Sequence, residues 1–278
     1  MHALEIVWDP IKFLDLGFFK LHFYSVMWIV AFIIGFYITK RIYRNENQSD
    51  ESLDSLFIYS VLGIMLGARL GHVIFYQPGL ITEDFFSIFL PFKFKGGFEF
   101  TGFMGLASHG AAIAMIIAMY LYNKKVLKKT VLWILDRVVV AVALGAVFVR
   151  IGNFINSEII GKYTETDFGI VFKQLGETAP RHPSQLYEAG CYLLVFIILF
   201  YTYWKTKKSE QQGFLFGLFL VLLWSVRFVV EYYKEPQNGE YLSDAIRNLI
   251  NNGQILSIPF IIIGLYFMFI YKPKAKTS

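Results

Sequence analysis

Seven long apolar runs alternate with short polar segments along the chain, at about 23–42, 56–76, 103–122, 131–151, 186–203, 214–233 and 255–271. Each is close to the roughly 20 residues that a helix needs to cross a bilayer. The pattern predicts an all-α, polytopic membrane protein with seven transmembrane helices and one membrane-embedded catalytic domain over 1–278. No internal repeat and no low-complexity segment interrupts it.

The connections are of two kinds. Lys40, Arg41 and Arg44 follow the first run. Lys124, Lys125, Lys128 and Lys129 follow the third, Lys205, Lys207 and Lys208 the fifth, and Lys272, Lys274 and Lys276 the seventh. The positive-inside rule places these four segments in the cytoplasm. The N-terminus is then expected outside and the C-terminus inside. Three longer, more polar connections, about 77–102, 152–185 and 234–254, are expected outside the membrane.

Composition agrees with this reading. Hydrophobic residues make up 56% of the 278 and charged residues 17%, against roughly 25% charged in a soluble domain. Twenty-nine Phe and seventeen Tyr suit lipid contact and interfacial belts. A net charge of +5 sits in short loops, which argues for a membrane surface and against nucleic acid. The lone Cys191 forbids an internal disulfide and lies in an apolar run, where it packs. Residues 1–20 lack the basic start of a cleavable signal peptide.

With that topology, the polar groups of six spans fall in the outer half of the membrane. They are Tyr24, Arg69 and His72, His109, Arg150 and Asn153, His182 and Glu188 at the head of the fifth run, and Arg227 and Glu231. Only Asp136 and Arg137, near the inner end of the fourth run, break the pattern. Polar groups at such depth are costly unless they bind something. Snorkelling would supply Lys and Arg at both ends, whereas this set is mixed and one-sided.

The richest stretch is Arg150–Gly161, with one Arg, two Asn and one Glu between glycines. Arg150 and Arg227 are candidates for a phosphate, which guanidinium grips with paired hydrogen bonds. Arg227 and Glu231, spaced i and i+4, share a helix face, either to pair with each other or to hold the Arg for a ligand. Asn153 and Asn156 offer donors and acceptors to hydroxyl groups, and Gly161 allows close backbone approach. The alternative for this stretch is an ordinary helix end followed by a polar loop. His109, set among small residues including Gly102, Gly105 and Gly110, is a candidate acid–base group. Arg181–Glu188 reads as a headgroup contact or as an interfacial helix start.

Arg-Ile-Gly-Asn-Phe-Ile-Asn-Ser-Glu-Ile-Ile-Gly at 150–161 resembles the signature of the prolipoprotein diacylglyceryl transferases. Phe23-Tyr24, Gly67-Ala68-Arg69-Leu70-Gly71, Ser108-His109-Gly110, Arg181-His182-Pro183-Ser184-Gln185-Leu186-Tyr187-Glu188, Arg227-Phe228-Val229-Val230-Glu231 and Gly253–Pro259 agree in the same order. Two positions depart: Val149 stands for the signature's first Gly, and Ala111 for a second Gly after His109-Gly110.

The resemblance implies a bacterial inner-membrane transferase with its site toward the outer leaflet. Such an enzyme moves diacylglyceryl from phosphatidylglycerol to the lipobox cysteine thiol of a preprolipoprotein signal peptide. A thioether forms and glycerol-1-phosphate leaves, without metal or cofactor. His109, Arg150 and Arg227 are then the expected catalytic residues. Tyr24, Arg69, Asn153, Asn156, Glu158, Gly161, His182, Glu188 and Glu231 are expected to join the two arginines in binding substrate. The rival reading is a secondary transporter of an organic anion. It would favour repeated halves and a midplane site, and neither is visible. A retinal protein would need a Lys within 255–271, which has none.

Overall fold

A computed structural model describes residues 6–17, 20–90, 92–94, 96–97, 99–100, 105, 107–235 and 250–272. Gly102, Lys274 and Lys276, the first residues of the third run and the middle of the 234–254 connection lie outside them. The protein is mainly helical, and seven helices among the described residues are long and apolar enough to cross a membrane. It is a multi-pass membrane protein.

Helix α1 spans Phe23–Asn45 and α2 Asp50–Tyr76. The Ser49 hydroxyl accepts the Ser52 N–H at the start of α2, with Asp50 and Glu51 in the first turn. These are the groups that a helix N-terminus favours. Two single turns follow, α3 (Leu80–Glu83) and α4 (Phe86–Phe89). Helix α5 (Ser108–Tyr122) runs on through a π turn, Asn123–Leu127, and ends at left-handed Lys128. The third span thus ends five residues beyond the apolar run.

Helix α6 covers Val131–Asn156 and α7 Ser184–Lys205. Helix α8 (Phe214–Val230) tightens into a 3-10 turn at Glu231–Tyr233. Helix α9 (Asn252–Phe269) opens with a reciprocal cap between Asn251 and Gln254 and carries Pro259 inside it. Three two-stranded ribbons add to the all-α expectation. Strand β1 (Ile6–Trp8) pairs in parallel with β6 (Ile170–Phe172). Strands β2 (Phe13–Asp15) and β3 (Lys20–His22) pair antiparallel, as do β4 (Phe92–Lys93) and β5 (Glu99–Phe100). The β1–β6 pairing joins strands more than 160 residues apart, which no local pattern announces.

The chain divides into two compact units, one of residues 40–134 and the other of the residues on either side. In the 40–134 unit, Gly63, Gly67 and Gly71 of α2 meet Ala118, Ala114 and Gly110 of α5. A methyl group on Gly67 would run into Ala114 and the Gly110 carbonyl, and one on Gly110 into the Gly67 carbonyl. Small residues every fourth position let two helices touch through their backbones, the usual device in lipid. Toward the other end of these helices the Tyr43 and Tyr122 hydroxyls stand 3.1 Å apart, and Tyr122 donates to the Ser52 carbonyl.

In the other unit, α8 and α9 approach through Gly217 and Gly264, and Trp224 stacks flat on Phe260 at 4.1 Å. Val147 of α6 and Ala189 and Tyr192 of α7 form a buried cluster that receives Leu223 and Val226 of α8. Trp8 of β1 stacks on Phe154 at 4.3 Å and donates to its carbonyl. This fastens the ribbon to the end of α6.

Candidate active site

Gly152 and Asn153 do not end the fourth helix. It continues to Asn156, so the first seven signature residues are helical and the connection starts later than 152. Left-handed Ser157 stops it, with the Ser157 N–H on the Phe154 carbonyl and the Glu158 N–H on the Asn153 carbonyl. Ile159 is also left-handed, at φ 58. That is a costly conformation for a β-branched residue. Two fully buried side chains at the start of α7 hold the turn: Ser184 Oγ donates to the Ile159 carbonyl and Gln185 Nε2 to the Glu158 carbonyl. The turn brings Glu158 back over the helix end, where its carboxylate accepts Asn153 Nδ2 and Asn156 Nδ2, each at 3.0 Å.

From there the polar contacts run without a break. Arg150 Nη1 donates to Asn153 Oδ1 at 3.1 Å, and Arg150 Nε lies 2.8 Å from Glu188 Oε2. That ion pair is close but not aligned as a hydrogen bond. Glu188 Oε1 accepts Lys234 Nζ at 2.9 Å and Tyr192 Oη at 3.3 Å. Lys234 also reaches Glu231 Oε2 at 3.2 Å. Seven side chains, Asn156, Glu158, Asn153, Arg150, Glu188, Lys234 and Glu231, thus form one chain across α6, α7 and the 3-10 turn after α8. Glu188 has no exposed surface, and the side chains of Lys234 and Arg150 are only 5% and 14% exposed.

The structure therefore gathers Arg150, Asn153, Asn156, Glu158, Glu188 and Glu231, as the sequence suggested. Tyr24 of α1 joins them by laying its ring on Gly152, where a methyl group would collide with it. Gly161 pairs through its backbone with His182 and bridges to Lys234, and a side chain there would strike the His182 carbonyl. The His182 imidazole shares a 3.1 Å hydrogen bond with Tyr187 and packs on Tyr233. Burial pushes its pKa below the usual histidine value.

Arg227 does not pair with Glu231, whose partner is Lys234. The helix tightens at Glu231, and the carboxylate meets the Lys three residues on. The Arg227 guanidinium instead lies over Trp224 at 5.1 Å, a cation–π contact. Its Nε is buried and has no hydrogen-bond partner. The Tyr192 hydroxyl stands within electrostatic range of Glu188, Arg150 and Arg227.

Arg69 and His109 belong to the 40–134 unit. Arg69 donates to the carbonyls of Ser87, Ile88 and Gly105, at 2.8, 3.2 and 3.5 Å. These contacts hold the α4 segment against α2. His109 is exposed on the first turn of α5, with the rings of Phe75 and Tyr76 at 4.8 and 5.9 Å. His72 stacks on Tyr76, and its imidazole fills the space beside Gly105.

Lys234, Tyr192 and Gln185 were missed by the sequence reading. Lys234 sits three residues beyond Glu231, a spacing that could have marked it.

A family model described as prolipoprotein diacylglyceryl transferase matches residues 11–270. A phosphatidylglycerol–prolipoprotein diacylglyceryl transferase of Bacteroides fragilis is 39% identical over 278 residues, covering 99% of this chain and 98% of its own. Enzymes of the same name from Tolumonas auensis and Helicobacter pylori are 40% and 33% identical. They cover 96% and 95% of this chain, and 98% and 94% of their own. The chain belongs to the prolipoprotein diacylglyceryl transferase family.

Proposed function

We propose that the protein transfers the diacylglyceryl group of phosphatidylglycerol to the thiol of a lipobox cysteine in a preprolipoprotein, with Arg150 and Arg227 holding the lipid phosphate. The observation that carries this reading is the state of Arg227. It is a guanidinium with a buried, unpartnered Nε, outside the ion pairs that join Arg150, Glu188, Lys234 and Glu231. Arg150, Arg227 and Lys234 bring three positive charges to the cluster, and the carboxylates of Glu158, Glu188 and Glu231 bring three negative ones, none of them in contact with the Arg227 Nε. A phosphodiester oxygen accepts the free guanidinium N–H.

In the reaction the thiolate sulfur attacks the glycerol carbon that bears the phosphate. The C–S bond forms, the C–O bond breaks, and its electron pair leaves on the phosphate oxygen. The extra charge grows where Arg150 and Arg227 are already placed, so little reorganisation is required. The thiol proton goes to a base, for which His109 is the candidate. Asn153, Asn156 and Glu158 offer both donors and acceptors to the headgroup hydroxyls. Tyr24, Arg69, Gly161 and His182 complete the binding set. The products are the thioether-linked lipoprotein precursor and glycerol-1-phosphate.

The protein is placed in the bacterial inner membrane with its N-terminus outside, as a single catalytic domain whose site faces the outer leaflet. The alternation of basic loops supports that orientation. Reporter fusions after Lys125 and Lys207 should read cytoplasmic, and one near Glu177 external. The activity is tested by incubating detergent-purified protein with phosphatidylglycerol and a lipobox peptide. A peptide mass gain of one diacylglyceryl group supports the assignment. No gain, from protein that instead moves an organic anion across vesicles, would make it a transporter.

A further inference from the structure

Asp136 has no place in the mechanism above, and its side chain is fully buried near the inner end of α6. Its Oδ2 accepts the Gly213 N–H at 2.6 Å and its Oδ1 the Phe216 N–H at 2.9 Å. These N–H groups belong to the start of α8, where no acceptor exists within the helix itself. Gly213, the residue that opens α8, is left-handed at φ 88 and supplies no side-chain cap. The cap of α8 is thus a residue of α6.

Both arginines of the proposed phosphate site lie on these two helices, at the far ends. Fourteen residues separate Asp136 from Arg150, and fourteen separate Gly213 from Arg227. At 1.5 Å per residue, each Arg stands about 21 Å from the tie. Both helices run in the same direction from it, because α7 returns between them. Leu223 and Val226 of α8 pack on the cluster that Val147 of α6 forms with Ala189 and Tyr192 of α7, just short of the arginines. Apolar packing of that kind permits sliding, whereas a carboxylate shared by two N–H groups has one axial position.

We propose that Asp136 is a positioning residue that fixes the axial register of α8 against α6 and so sets Arg227 level with Arg150. This rests on the reading of the two arginines as one phosphate clamp. A slip of one residue moves α8 by about 1.5 Å. A misplacement of 1 Å in a site can cost about 10²-fold in rate.

The test uses the full chain with Cys191→Ser and spin labels on cysteines placed at Val142 of α6 and Val229 of α8, both exposed. The label distance is compared between parent, Asp136→Ala and Asp136→Asn. The Ala variant should shift or broaden the distance and lose at least tenfold in kcat/KM for phosphatidylglycerol. The Asn variant keeps the volume and one acceptor oxygen, and should fall between. A distance distribution in both variants that superimposes on the parent overturns the proposal. So does a shifted distance with unchanged kcat/KM. The distance measurement needs no turnover, so failure of the proposed activity remains distinguishable from failure of the register.

Discussion

Lys234 Nζ lies 2.9 Å from Glu188 Oε1, and neither side chain is more than 5% exposed. Glu188 is thereby flanked by two cations, with Arg150 on its other oxygen. Removing one partner of a buried pair leaves an uncompensated charge and costs about 3–5 kcal/mol. Lys234→Met should therefore lower thermal stability strongly. In the double variant Lys234→Met with Glu188→Gln the two losses should fall short of additive, because both singles remove the same Lys234–Glu188 contact. Thermal unfolding in detergent decides the point. A double variant less stable than the sum of the singles would mean that the pair is not a unit.

Arg150→Lys keeps the charge but loses the planar fork that faces Asn153 and Glu188 together. A drop in peptide diacylglycerylation of about ten- to a hundredfold is expected, the scale of a charge-assisted hydrogen bond worth roughly 1.5–3 kcal/mol. Initial rates at matched expression and thermal stability check this. Near-parental rates would make Arg150 an interfacial anchor and move the phosphate site to Arg227.

His109→Gln should reduce turnover by roughly 10²–10⁴-fold while phosphatidylglycerol still binds, if the imidazole takes the thiol proton. Lipid-binding isotherms beside rates separate the cases. Weakened binding would make His109 a headgroup contact, and an unaltered rate would remove it from the chemistry.

Glu177 is hydrogen-bonded to Arg181 and, through its other oxygen, to Tyr163. The Arg181 bond is the main reason its pKa lies below the ordinary 4.5. A carboxylate with a lowered folded pKa contributes stability that is fully present above the unfolded value. It is lost as the pH falls from about that value through the lower folded one. Melting temperatures measured between about pH 6 and pH 3 should fall less steeply for Glu177→Gln than for the parent. Parallel curves would show that the pair adds nothing.

The spans were legible because twenty apolar residues in a row have few other uses. The polar cluster was legible because buried Arg, Asn and Glu are expensive. Both signals are local. The signature's helical conformation was not. Gly152 and Asn153 look like terminators, yet Arg150 and Asn153 are held together side by side on one helix face, and the stop comes later, at a left-handed Ser. Lys234 escaped for a similar reason. A Lys just past an apolar run reads as a snorkelling residue, and only the bridge from Gly161 and the approach of Glu188 bury it. That Glu231 takes Lys234 rather than Arg227 as its partner also depends on a 3-10 turn that no spacing rule at i, i+4 foresees.

The α2–α5 contact has a consequence for the membrane in which the protein works. Side chains between two helices can repack when a bilayer thickens, thins or warms, and the helices then tilt or rotate by degrees. Gly67 and Gly110 leave no side chain between their backbones. That seam has one seating, with no softer neighbouring arrangement to drift into. His109 is the residue next to Gly110, so the backbone that carries its imidazole has a fixed place against α2. Changes in lipid composition should alter how fast substrates arrive well before they alter where that backbone sits.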